Sequence, residues 1–90
     1  MNREVILVSA DWCISCKVML KWFFTLEIPG IVFKLYDLED ASLENENESI
    51  SSVPTVLFRD NGVTVEKSHG LIDIYQLKHL IYTIWPDTQD

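Results

Sequence analysis

Val5-Ile6-Leu7-Val8 is an unbroken apolar run, too short for a helix of its own and without the alternation of a half-buried strand. Such a run reads as a strand buried on both faces, the habit of a central strand in a parallel sheet. A chain of 90 residues that must cover both sides of that strand has room for one core, so a single α/β domain over residues 1–90 is expected. A hydrophobic fraction of 48%, with ten aromatic side chains, is enough for that core and too high for a disordered tail.

The run leads into Asp11-Trp12-Cys13-Ile14-Ser15-Cys16-Lys17 and then into a segment dense in helix formers, Lys17 to Leu26. The two cysteines therefore stand where a strand becomes a helix. A helix begins with unsatisfied backbone N–H groups and a partial positive charge, and both favour a thiolate over a thiol. Cys13 is thus a candidate nucleophile of lowered pKa. A spacing of two residues puts Cys16 one helical turn on, within bonding range of Cys13.

Two other readings compete with a redox pair. A C-x-x-C can be half of a zinc site, but tetrahedral zinc takes four ligands, and His69 and His79 are the only further histidines. A structural staple is the third reading, although a three-residue offset closes almost no loop and contributes little chain entropy. The setting at a strand-to-helix junction favours the redox pair, with no metal.

Along the chain, a first helix is expected from about Cys13 to Leu26, with Cys16, Met19, Leu20 and Phe23 as its buried stripe. Trp22 falls at the margin of that stripe, and Lys17, Lys21 and Thr25 face water. Val18 points away from it, as a partner contact or an ordinary exposed apolar residue. Pro29-Gly30 ends the unit and Ile31 to Tyr36 forms a second strand. Strand, helix and strand make a right-handed crossover with parallel strands, which sets the cysteines at the carboxyl end of the sheet. Residues Asp37 to Glu48 carry six acids and no base. They read as a solvated short helix or loop, with a docking surface for a basic partner as the alternative. Thr55 to Phe58 and Val63 to Val65 are strands joined through Asn61-Gly62, a hairpin signal. Asp73 caps a last helix with Ile74, Leu77, Leu80, Ile81 and Ile84 at helical spacing, which Pro86 stops.

A net charge of −7 argues against a sequence-independent grip on nucleic acid or on an anionic membrane. The apolar run near the N-terminus is shorter than the roughly 7 to 15 residues of a signal-peptide core, and no stretch approaches a membrane span. With two cysteines, a leaderless chain points to the cytoplasm, where a C-x-x-C is more often catalytic than structural.

The order β-α-β-(short α)-β-β-α, with W-C-x-x-C-K after the first strand and V-P-T opening the third, resembles the thioredoxin family. The likeness runs from about Val5 to Ile84 and is most specific at Val53-Pro54-Thr55-Val56-Leu57-Phe58, Asn61-Gly62 and Gly70. It lacks the family's additional N-terminal strand and helix, as in the glutaredoxin-sized version of the fold. The resemblance implies a four-stranded mixed sheet flanked by helices. It implies that Cys13 attacks, that Cys16 is the buried resolving cysteine, and that Trp12 covers the site. Pro54 would be a cis-proline exposing the backbone of Val53 to an extended substrate, with Gly70 beside it. Residues alone would make Pro54 a trans residue opening a strand.

Two positions depart from the family's pattern. Ile14-Ser15 stands where Gly-Pro is usual, and this dipeptide, with Asp11 and Lys17 around it, would tune the thiolate and the reduction potential. Leu7 stands where the family keeps a buried aspartate that takes a proton from the resolving cysteine, so Asp11, Ser15 or a water has to serve. The implied activity is thiol–disulfide exchange on protein disulfides by a monomer, without metal or organic cofactor, the Cys13–Cys16 disulfide being the redox group. A thioredoxin reductase or glutathione would supply electrons. The rivals are a glutathione-linked glutaredoxin-like oxidoreductase and a redox-inert or zinc-binding module.

Overall fold

The computed structural model describes residues 2–39 and 50–88. Its elements are β1 (Arg3–Ser9), α1 (Ile14–Phe23), β2 (Ile31–Asp37), β3 (Thr55–Asp60), β4 (Val63–His69) and α2 (Ile74–Ile84). The expected short helix in the acidic stretch lies outside the described residues.

The four strands form one mixed sheet in the order β2-β1-β3-β4. β1 is central, parallel to β2 and antiparallel to β3, so the unbroken apolar run lies between two neighbours as its pattern requires. Alternation then divides its side chains between two layers. Val5 and Leu7 join Met19 and Phe23 of α1, Val56 and Phe58 of β3, and Leu77 and Ile81 of α2 in the main core. Ile6 and Val8 point to the other face, where they pack with Leu57 and the half-buried Tyr36, Leu38, Ile50 and Val53.

α1 is shorter than its sequence suggests, ending at Phe23 rather than near Leu26. Thr25 explains the stop: its N–H and its hydroxyl both donate to the Trp22 carbonyl, which would otherwise serve the continuing helix. Leu26 remains buried beyond the end of the helix. Leu20, expected in the buried stripe, is only half-buried, because Cys16, Met19 and Phe23 already fill the stripe.

β3 and β4 meet at Asn61-Gly62, whose φ values of 52° and 85° are those of a two-residue hairpin turn with both central residues left-handed. β4 runs past the expected Val63–Val65 to His69, pairing with β3 throughout with one irregularity at Phe58/Arg59. α2 begins with a complete capping box: Gln76 N–H donates to the Asp73 carboxylate, and Asp73 N–H donates to the Gln76 side chain, both at 2.8 Å. Among the described residues no helix is long and apolar enough to cross a membrane.

Candidate active site

The site forms where β1 leaves the sheet. Ser9 is the last residue of the strand, and its carbonyl accepts from Leu38 N–H at 2.8 Å, which ties the exits of β1 and β2 together. Cys13 N–H donates to the Ala10 carbonyl at 3.0 Å, closing the turn that carries the chain into α1. Cys13 then occupies the N-cap, with extended backbone angles, and its Sγ accepts from Cys16 N–H at 3.1 Å. A sulfur thus takes the place usually held by a serine or aspartate oxygen.

Cys13 and Cys16 are joined as a disulfide with their Cα atoms 5.3 Å apart. Both sulfur-bearing residues are sheltered, Cys16 at 0% and Cys13 at 7% exposure. Cys13 is less open than its place at a helix end suggests. Ala10 packs with the two cysteines, and the half-buried Leu38 and Val53 close around them.

Val53 belongs to the second half of the site. The Val53–Pro54 peptide is cis, and Pro54 is buried. Its carbonyl accepts from Gly70 N–H at 2.8 Å, with Gly70 at φ +94°, a conformation that side-chain-bearing residues rarely adopt. Thr55 Oγ1 donates to the Ser52 carbonyl at 2.8 Å and lies 3.2 Å from His69 Nδ1. The segment before β3 is therefore anchored at both ends, by Thr55 to its own turn and by Gly70 to the end of β4.

Of the other residues singled out from the sequence, Trp12 and Ile14 are large apolar side chains left exposed, at 72% and 77%. Trp12 lines a hollow with Ala10, Asp11, Asp37, Leu38 and Glu39. Asp11 and Lys17 line a neighbouring groove with Ala10, Leu20 and Asp37. Ser15 is half-buried in the first turn of α1. Leu7 is fully buried in the main core. His69 and His79 do not come together with the cysteines in a ligand set: among the described residues no group of three or more His, Cys, Asp or Glu is placed to hold a metal. Leu38 and the Thr55–His69 contact were not read from the sequence. The first depends on where β2 ends, and the second on a register across 14 residues.

A disulfide at a strand-to-helix junction on a sheet of order β2-β1-β3-β4, with Val53 of a cis Val53–Pro54 bond packed against it, defines a C-x-x-C oxidoreductase on the thioredoxin-like fold. No protein-family model matches the chain. It is 34% identical to the thioredoxin of Chlamydia trachomatis over 74 residues, which cover 80% of this chain and 72% of that one. To the thioredoxin of Mycoplasmoides gallisepticum it is 29% identical over 83 residues, covering 89% and 83%. Among solved structures, a point mutant of thioredoxin from Halobacterium salinarum matches with a TM-score of 0.78 and 29% identity, over 90% of this chain and 73% of that one. Chlamydomonas reinhardtii thioredoxin f2 shares the fold at a TM-score of 0.78, with 23% identity over 93% and 80%. The chain belongs to the thioredoxin family and is a thiol–disulfide oxidoreductase working through its C-x-x-C pair.

Proposed function

We propose that the chain reduces disulfides in protein substrates, with Cys13 as the attacking and Cys16 as the resolving cysteine. The observation that carries this reading is the hydrogen bond from Cys16 N–H to Cys13 Sγ at the N-terminus of α1. In the reduced protein that N–H, with the helix end behind it, stabilises negative charge on Cys13 and not on Cys16. Cys13 thiolate attacks one sulfur of the substrate disulfide and releases the other as a thiolate. Cys16, deprotonated in turn, attacks Cys13 Sγ and releases the second substrate thiol. Two electrons pass to the substrate and leave the Cys13–Cys16 disulfide.

Val53 and Pro54 would face the substrate, the Val53 backbone pairing with an extended segment, while Gly70 keeps the approach open. Trp12 and Ile14, both exposed beside the pair, would add apolar contact. Asp11, Ser15 and Lys17 would tune the thiolate. No cofactor beyond the disulfide is needed, and the chain would work as a one-domain monomer in a reducing cytoplasm. The relatives named thioredoxin support regeneration by a flavin-dependent thioredoxin reductase over glutathione. The test is reduction of insulin with NADPH and thioredoxin reductase, against reduced glutathione alone. Turnover with the reductase supports the reading. Turnover with glutathione alone would make it a glutaredoxin-like enzyme, and turnover with neither nor with dithiothreitol would defeat it.

A further inference from the structure

Thr55 is fully buried one residue beyond Pro54, and its hydroxyl has two partners, the Ser52 carbonyl at 2.8 Å and His69 Nδ1 at 3.2 Å. A hydroxyl has one proton and a carbonyl can only accept. If the proton goes to Ser52, the contact with His69 is a hydrogen bond only when Nδ1 carries a proton and donates it. In the neutral ring this requires the Nδ1–H tautomer. The next residue along, Gly70, makes a second tie by donating its N–H to the Pro54 carbonyl at 2.8 Å.

We propose that His69 is a positioning residue for substrate binding: by donating Nδ1–H to Thr55 it keeps the hydroxyl aimed at Ser52, and so holds residues 52–55 in the shape that sets Val53 beside the disulfide. The role rests on the reading that Val53 presents its backbone to substrate. His69 is exposed and stands across β3–β4 from Thr55, so replacing it removes little packing while cutting this tie. Its effect belongs to binding and not to the exchange chemistry.

The test has two parts on the full chain. Nitrogen-15 NMR of the imidazole reports which ring nitrogen is protonated in the neutral form, and Nδ1–H is expected. Steady-state reduction of insulin and of the small disulfide hydroxyethyl disulfide, with dithiothreitol as reductant, is then compared for the parent, His69→Val, Thr55→Val and His69→Asn. Losing one hydrogen bond of ordinary strength should raise KM for insulin about threefold to tenfold in His69→Val and Thr55→Val, with kcat little changed. His69→Asn, whose amide nitrogen falls where Nδ1 was, should restore the parent KM. Hydroxyethyl disulfide, too small to pair along Val53, should be reduced equally by all four. An Nε2–H tautomer, or an insulin KM equal across the variants, would overturn the role while leaving the proposed activity standing. A parent that reduces hydroxyethyl disulfide but not insulin would overturn the protein-substrate reading and this role with it.

Discussion

Cys13 and Cys16 differ less in exposure than in what the backbone offers them. Cys16 N–H donates to Cys13 Sγ, whereas Cys16 sits a turn inside α1 against the core side of the helix. The reduced Cys13 thiol should accordingly ionise well below the free-thiol value of about 8.5. Alkylation by iodoacetamide against pH, on the Cys16→Ser variant, measures this as the midpoint of reactivity. A midpoint at or above the free value would remove the basis for unequal roles. The spacing of the cysteines and their junction were legible in the sequence, because both are local. The shelter around Cys13 was not, since Leu38 comes from the exit of β2 and Val53 from the segment before β3. Leu7 is the converse case: its burial follows from its run alone, and the structure places it at 0% exposure. Leu7→Asp should lower stability by about 3 kcal/mol near neutral pH, through lost packing and a desolvated carboxyl. Burial raises that carboxyl's folded-state pKa above its unfolded value of about 3.9, so its charge is the disfavoured form. The penalty is therefore smallest below the unfolded pKa and grows as pH rises through the folded one. Urea unfolding at mildly acidic and mildly alkaline pH checks both the sign and the trend.

Among the elements, those with strong periodicity or a local stop signal were legible and those held by pairing were not. β1, α1 and α2 follow from apolar spacing, and the hairpin from Asn61-Gly62. The second half of β4, Glu66 to His69, has no apolar alternation, because it is an edge strand and takes its order from hydrogen bonds to β3. The early stop of α1 at Phe23 was likewise hidden, since a threonine at position 25 is compatible with either outcome. The hairpin gives a clean test. Gly62 has φ +85°, and a Cβ built on it meets nothing within 4 Å, so Gly62→Ala should suffer only from the backbone conformation, losing about 1 kcal/mol. The turn lies at the end of the sheet opposite the disulfide. Disulfide-reductase activity in Gly62→Ala should therefore match the parent while its urea midpoint falls, and a parallel loss of both would mean that the hairpin and the site are coupled.

Over the whole molecule, the site end and the opposite end are built differently. The far end is clasped by Trp85, which is almost wholly buried, meets Phe58 edge-on at 6.2 Å and donates its indole N–H to Asp60 at 3.2 Å. Arg3 lies over the same ring at 5.4 Å and pairs with Asp87 at 3.0 Å, joining the first strand to the residues after the last helix. Trp85→Ala should lose about 3–5 kcal/mol, a large share of the roughly 5–15 kcal/mol that holds a domain together. Thermal unfolding measures it. Arg3, chiefly by its side-chain hydrogen bond, holds the Asp87 carboxyl below its ordinary value. A depressed carboxyl pKa contributes stability above its unfolded value, lost as pH falls through the folded one. Asp87→Asn should thus be slightly less stable than the parent at neutral pH and equal to it in strong acid, with the gap narrowed by salt.

Disulfide exchange by this chain turns on the unequal work of two cysteines three residues apart, and trapping the intermediate between their two steps tests it most directly. Cys16→Ser keeps the attacking thiolate and loses the resolver, so mixing it with insulin and quenching with acid should leave a covalent mixed disulfide at Cys13, visible by non-reducing gel and mass spectrometry. Cys13→Ser should trap almost nothing. Equal trapping by the two variants would contradict the assignment of roles, and trapping by neither would contradict thiol–disulfide exchange on protein substrates.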